Sequence, residues 1–190
     1  MRKFAAAVIA AAMTLALAGP AAAGKPGWAG PDNGLTIVET AVTASSGVDD
    51  FDDNPEDFDI LVAAVLATGA TAVLDGETDY TVFAPTDQAF LDVVSAIAGA
   101  PVTDEQVAFD ALVATLGADG VLAVLTYHIT DGWRPSPSVV NPKSVTMLDG
   151  NTISARGGDI VANNSAANFV ATDLKTTDGG IHVIDAVLLP

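Results

Sequence analysis

The side chains best suited to chemistry form an acidic run between residues 49 and 59. Seven carboxylates fall within eleven residues: Asp49, Asp50, Asp52, Asp53, Glu56, Asp57 and Asp59. Clustered carboxylate oxygens are the ligands that Ca²⁺ prefers, so the run predicts a candidate calcium site. The ligands of that site would be Asp50, Asp52, Asp53, Glu56 and Asp57. A solvated loop is the competing interpretation, because an EF-hand beginning at Asp50 would have Pro55 where glycine is required and Leu61 where glutamate is required.

The other reactive side chains do not form a catalytic set. The chain has two histidines, His128 and His182, and no cysteine, which excludes thiol catalysis, sulfur-bound zinc and a three-histidine zinc site. The sequence contains neither a G-x-S-x-G nucleophile elbow nor an H-E-x-x-H motif. We therefore predict no catalytic residue and no cofactor. A hydrolytic or other enzymatic activity is the disfavoured alternative, because a nucleophile and its base are missing. The 24 acidic residues make any one pair of carboxylates uninformative.

Hydrophobic spacing places helices in the first part of the chain and strands in the last part. Apolar residues recur at helical spacing in segments that begin near Leu35, Phe58 and Phe90, and again after residues 103–106. Beyond Gly132 the period changes toward two, and turn pairs separate short apolar runs. Helices followed by strands, without alternation between the two, predict a single α+β domain.

One short run joins the two kinds of element. Residues 80–90 read Y-T-V-F-A-P-T-D-Q-A-F. The aromatic and β-branched residues at its start suit a strand, and Pro85 ends that strand. Thr86 is placed as the N-cap of a helix, with Asp87 in the first turn. The run therefore predicts a strand, a sharp turn and a helix start within eleven residues.

The N-terminal residues predict export. Arg2 and Lys3 precede an apolar run, and an A-x-A cleavage site ends at Ala23, a combination typical of a secretory signal peptide. We expect neither a transmembrane segment nor a lipid anchor, because no second long apolar run and no cysteine follow. The predicted location is extracellular or periplasmic. The expected parts of the chain are a signal peptide at residues 1–23, a flexible leader at 24–32 and a domain at 33–190.

The charge of the chain is strongly negative and unevenly placed. The formal net charge is −17, and residues 26–133 hold 19 of the 24 acidic residues and no Lys or Arg. Nucleic acids and anionic membranes are disfavoured as partners, since both need basic side chains to meet phosphate. Divalent cations and basic proteins fit this charge. A solubilising acidic surface is the competing interpretation.

Three separated blocks resemble the fasciclin (FAS1) domain family. Residues 80–90 match its opening F-T-V-F-A-P-T-x-x-A-F, with Tyr80 replacing the first Phe. Residues 124–129, V-L-T-Y-H-I, match its L-x-Y-H-V/I, and residues 180–190, G-I-H-V-I-D-A-V-L-L-P, match its closing block. The resemblance implies one FAS1 domain over residues 33–190. The fold that it implies is two packed β-sheets in a wedge-like sandwich, with helices mostly N-terminal and strands mostly C-terminal.

The resemblance also implies a function and candidate binding residues. FAS1 proteins are mostly extracellular adhesion and matrix proteins, so we expect adhesion or matrix association through protein or glycan ligands, without catalysis. The family's partner-contacting positions map onto Tyr127 and His128, and onto Asp173 and Leu174, where Leu replaces the family's Ile. A structural role for Tyr127 and His128 competes, because both lie in an apolar run. The alternative function is an acidic envelope or matrix protein that associates through Ca²⁺.

Overall fold

The computed structural model describes residues 32–45, 51–52, 54–141, 144–156 and 159–190. The predicted signal peptide, and all of the predicted leader except Asp32, lie outside these residues. Five helices are described there: α1 Ile37–Ala44, α2 Asp59–Thr68, α3 Asp87–Ala98, α4 Glu105–Tyr127 and α5 Ser136–Val140. A 3₁₀ turn, Ala70–Ala72, follows α2.

Seven strands follow the predicted order, with the first of them between α2 and α3. They are β1 Tyr80–Pro85, β2 Ile129–Asp131, β3 Val145–Thr146, β4 Thr152–Arg156, β5 Asp159–Val161, β6 Ala166–Thr176 and β7 Gly179–Ile184. Most helical residues precede most strand residues, so the α+β prediction is confirmed.

The strands form one sheet, and the expectation of two packed sheets is wrong. The strand order is β2-β1-β7-β6-β5-β4-β3, with β1 and β7 parallel and all other neighbours antiparallel. The two end strands approach each other, because the Leu148 amide donates to the Ile129 carbonyl at 2.8 Å and the Thr130 hydroxyl donates to the Thr146 carbonyl at 2.8 Å. Two register shifts along β6 bend the sheet, as bulges do, so a single sheet curls until it nearly closes.

The curled sheet separates two hydrophobic cores. The inner core includes Phe83 of β1, Ile184 of β7 and Tyr127 at the end of α4. The outer core lies between the helices and the opposite face of the same strands, where Val82 and Ile181 point. Strands β1 and β7 are therefore buried on both faces, which explains why both read as nearly continuous apolar runs.

Helix α4 is long but interrupted. It begins at the N-cap Asp104, whose carboxylate accepts from the Val107 amide at 3.0 Å. Gly117 lies inside it with φ 68° and ψ 169°, a conformation outside the helical region that favours glycine. The second half of α4 consequently takes a new direction and ends at Tyr127, directly before β2.

Candidate functional site

Tyr127 is a core residue and not part of the surface. Its side chain is 0% exposed and lies in the inner core. The hydroxyl donates to the Thr152 carbonyl at 3.2 Å and accepts from the Asn163 amide at 3.3 Å. Burial raises the pKa of Tyr127, so the phenol stays protonated and keeps its donor. Tyr127 thereby ties the end of α4 to the open end of the β4–β5 hairpin, at the first residue of β4 and just after β5.

His128 is also buried, and its two hydrogen bonds define the tautomer of its ring. Its Nδ1–H donates to the Val124 carbonyl at 2.7 Å, and its Nε2 accepts from the Leu188 amide at 2.9 Å. Burial lowers the pKa of His128 to about 4, despite the favourable contact with Val124. The neutral ring joins the end of α4 to the segment after β7. That Tyr127 and His128 contact a partner stays a prediction, and neither side chain reaches the surface in this fold.

Asp173 and Leu174, by contrast, lie on the surface at an irregularity of β6. The register shift between Ala171 and Leu174 leaves Asp173 in the left-handed region, with φ 63°. Its carboxylate accepts from the Ser136 amide at 2.8 Å and from the Ser136 hydroxyl at 2.6 Å. Partial burial pushes the pKa of Asp173 upward, but the two Ser136 hydrogen bonds outweigh it and hold the pKa below its usual range. The bulge is thus an anionic position fixed to α5.

The buried side chain of His182 contacts the backbone of the same bulge from the interior of the domain. Its Nδ1 accepts from the Asp173 amide at 3.1 Å, and its Nε2–H donates to the Arg134 carbonyl at 2.8 Å. Trp133 stacks on the imidazole with a centroid distance of 5.6 Å, and Phe169 meets it edge-on at 5.5 Å. Burial lowers the pKa of His182, so a neutral ring supports a strained backbone position that the surface presents.

Exposed apolar side chains flank this bulge. Val170 is 62% exposed and Leu174 is 41% exposed, both on β6. Val170, Asp173 and Leu174 are exposed positions of the same strand, and we call these three residues together the β6 patch. Sequence reasoning missed Val170, and alternation along the strand before Asp173 was the signal that could have indicated it.

The predicted calcium ligands are only partly brought together. Asp50 and Asp53 lie outside the described residues, and Glu56 is exposed and belongs to neither of the described carboxylate groups. Two such groups have oxygens within 4.8 Å of one another, and they share Asp57. Their members are Asp52, Asp57 and Asp59 in one, and Asp57, Asp87 and Glu105 in the other.

Asp87 reaches this position because the start of α3 packs against the acidic loop, where the Asp87 amide donates to the Asp57 carbonyl at 3.1 Å. Thr86 is the N-cap of α3, as predicted, but makes no side-chain capping hydrogen bond. The Asp87 side chain contacts the start of α2 instead. Its two carboxylate oxygens accept from the Asp59 and Ile60 amides at 2.8 and 2.9 Å. Burial raises the pKa of Asp87, contact with the Asp57 carboxyl raises it further, and the two amides oppose both effects. The sequence could not show this contact, which joins residues 27 and 28 positions apart.

A second apolar surface lies between α3, α4 and the C-terminal segment. It forms an open groove of about 570 Å³ with almost wholly apolar walls, and Ile97 on its rim is 60% exposed.

Helix α4 is also long and apolar enough to cross a membrane by composition, which the expectation of no second long apolar run overlooked. The break at Gly117 and the buried Leu125 and Tyr127 assign α4 to the packed domain.

Comparisons with known proteins agree with the three sequence blocks. Residues 56–190 match the family described as the Fasciclin domain. Protein sll1483 of Synechocystis sp. is 31% identical over 162 residues, covering 85% of this chain and 77% of that protein. Immunogenic protein MPT70 of Mycobacterium tuberculosis is 29% identical over 206 residues, covering 95% and 90%. Human periostin is 28% identical over 165 residues, but the chain spans only 18% of it.

A solved structure shows the same fold. The FAS1 domain pair from the insect cell adhesion molecule Fasciclin I aligns with a TM-score of 0.58 at 17% identity. The alignment covers 82% of this chain and 51% of the insect chain. At that identity the likeness carries the fold alone.

Proposed function

The chain belongs to the fasciclin domain family, and from that premise we propose that it is a secreted adhesion or matrix-associated binding protein without catalytic activity. The supporting observation is the β6 patch, an exposed apolar and anionic surface held on a rigid backbone. Binding sites of this kind need fixed geometry, and the Ser136 and His182 contacts supply it before any partner arrives.

The chemistry of the β6 patch favours a protein or glycan with both a basic and an apolar contact. Asp173 remains ionised at neutral pH because its pKa is lowered, so it can accept hydrogen bonds from Arg, Lys or sugar hydroxyl groups. Leu174 and Val170 add apolar area beside that charge. Residues 26–133 carry no Lys or Arg, so the acidic remainder of the domain favours basic partners further.

Signal-peptide cleavage and export are part of the proposal. The basic start, the apolar run and the A-x-A site at residues 1–23 support it. Intact mass of the exported protein should correspond to a chain beginning at Gly24. A retained Met1 would contradict export by this route.

The test of adhesion uses surfaces coated with the mature chain. We expect coated surfaces to retain cells or matrix polymers, and a pulldown from envelope material to recover a partner. Leu174→Ser should reduce retention, whereas Ile97→Ser, which alters a still more exposed apolar residue in the α3–α4 groove, should not. Both substitutions are at exposed positions, so thermal melting should change little.

The outcomes separate the two surfaces. Retention lost in Ile97→Ser but kept in Leu174→Ser would place binding in the α3–α4 groove and refute the β6 patch. A coated surface that retains nothing, together with an empty pulldown, would refute the adhesion proposal as a whole.

A further inference from the structure

Five carboxylates converge where the acidic loop meets the starts of α2, α3 and α4. Asp57 belongs to both described groups, and it is only 5% exposed. Asp59, Asp87 and Glu105 are buried as well, while Asp52 is half-buried at the rim. The ligand atoms in each group lie within 4.8 Å of one another. Oxygens on opposite sides of a Ca²⁺ ion are about 5 Å apart, because Ca²⁺–oxygen distances are about 2.3–2.6 Å.

The centre of this cluster contains an acceptor without a donor. The Oδ1 atom of Asp57 is buried and receives no hydrogen bond from the described residues. Its other oxygen accepts from the Asn54 amide group at 3.1 Å. Asp87, which it faces, already uses both oxygens to accept from the amides of Asp59 and Ile60. Two buried carboxylates that face each other need either a shared proton or a cation between them.

The sequence around these carboxylates supplies no Lys or Arg. Residues 26–133, which include all five carboxylates, contain neither Lys nor Arg. One shared proton would neutralise only one of the two facing carboxylates, Asp57 and Asp87. A divalent cation neutralises two, and it coordinates several oxygens at once.

We propose that Asp52, Asp57, Asp59, Asp87 and Glu105 form a site for one Ca²⁺ ion, centred on Asp57. This inference does not depend on the proposed adhesion function. The site differs from the linear loop suggested by the sequence, because it takes ligands from the loop, from α2, from α3 and from α4. Glu56 has no part in it.

The protein holds this ligand set in place before the ion binds. The Asp87 amide donates to the Asp57 carbonyl at 3.1 Å, and the Gln88 amide donates to the Pro55 carbonyl at 2.8 Å. These two bonds clamp the acidic loop to the start of α3. The half-buried Asp52 gives the ion a route from solvent, and water can complete its coordination there. Ca²⁺ suits such an irregular set better than Mg²⁺, which demands near-octahedral geometry.

Calorimetric titration of the chelator-treated mature chain with CaCl₂ tests the site. At neutral pH and about 0.15 M NaCl, we expect a saturable heat with one ion bound per chain. Asp57→Asn removes a central ligand at nearly unchanged volume and should weaken binding about tenfold or more. Glu56→Gln makes the same charge change one residue away, at an exposed position, and should weaken binding only about twofold.

Thermal melting gives an independent readout. At about a hundredfold excess of Ca²⁺ over the dissociation constant, the melting temperature should rise by about 5–10 °C, and EGTA should reverse the rise. Asp57→Asn should lose this response and, without Ca²⁺, melt above the chelated wild type, because one like charge is removed. If Asp57→Asn does not fold, Glu105→Gln is used in its place. The wild-type titration with CaCl₂ tests the site without any variant.

Two results would overturn the proposal. One is the absence of saturable heat with CaCl₂ up to about 10 mM, beyond the weakest extracellular sites. The other is a melting temperature that does not respond to Ca²⁺ and that rises in EGTA as the pH falls from 8 to 5. That result would place a shared proton, and not an ion, between the carboxylates of Asp57 and Asp87. Equal loss of binding in Asp57→Asn and Glu56→Gln would likewise refute a specific site and indicate diffuse attraction to the acidic surface.

Discussion

Replacing Tyr127 by alanine tests whether the tyrosine of the family's central block is a core residue. The side chain is 0% exposed and lies among the apolar residues enclosed by the curled sheet. Truncating a fully buried aromatic residue costs about 3–5 kcal/mol of unfolding free energy, from lost transfer energy and the cavity that remains. For a domain of this size, that loss corresponds to a drop in melting temperature of about 10 °C.

Tyr127→Phe divides that loss into packing and hydrogen bonding. It keeps the ring but removes the hydroxyl that bridges Thr152 and Asn163. The bonds are 3.2 and 3.3 Å long, and both partner residues are exposed, so water can replace the hydroxyl. We therefore expect Tyr127→Phe to cost about 1 kcal/mol, at the low end for a buried hydrogen bond.

The assay is urea unfolding at equilibrium, followed by far-ultraviolet circular dichroism. Leu174→Ala is the matched control, because Leu174 is 41% exposed and its truncation should cost less than about 0.5 kcal/mol. The reasoning fails if Tyr127→Ala loses less than about 1 kcal/mol with an unchanged denaturant slope. Any loss of partner binding by Tyr127→Ala must be compared with this loss of stability.

Three further predictions concern the sheet, the buried histidine and the bulge. Gly179→Ala should cost more than about 4 kcal/mol in urea unfolding, because its Cβ would lie 1.8 Å from the Tyr80 carbonyl oxygen, whereas Gly150→Ala, with open space, should cost about 1 kcal/mol. The pKa of His128 falls to about 4 on folding, so the unfolded chain is protonated before the folded chain as the pH falls. About 3 kcal/mol of unfolding free energy should therefore be lost between pH 6.5 and 4, and His128→Gln should not show this loss. Asp173→Ala should destabilise more than Asp173→Asn in melting experiments, because Asn tolerates φ 63° and keeps an acceptor for Ser136.

Local features of the fold follow from local sequence, and the sequence predicts them well. Gly69 ends α2 in the left-handed conformation, and Thr86 begins α3 directly after β1, as their residue types indicate. The single curled sheet could not be predicted in the same way. Its closure depends on contacts between β2 and β3 and on shifts within β6, and residue periodicity contains neither.

The candidate sites show the same division. The sequence identifies Asp173 and Leu174 through a family resemblance, but not the Ser136 and His182 contacts that fix the bulge. It identifies the acidic run, but it groups the carboxylates by position along the chain. Asp87 and Glu105 join Asp57 only because helix starts from three segments meet at one point, and a linear ligand pattern cannot represent that arrangement.

The position of β7 has a consequence for the order in which the chain can fold. This strand lies between β1 and β6, and its parallel pairing joins Tyr80 to Gly179. The carboxylate of Asp178, just before this strand, accepts a hydrogen bond from the amide of Ile37, the first residue of α1, at 2.8 Å. The middle of the sheet is therefore made from residues that leave the ribosome after all the helices, and long-range pairing of this kind slows folding. That delay suits the proposed export, because a chain that is still unfolded can be threaded through a translocation channel.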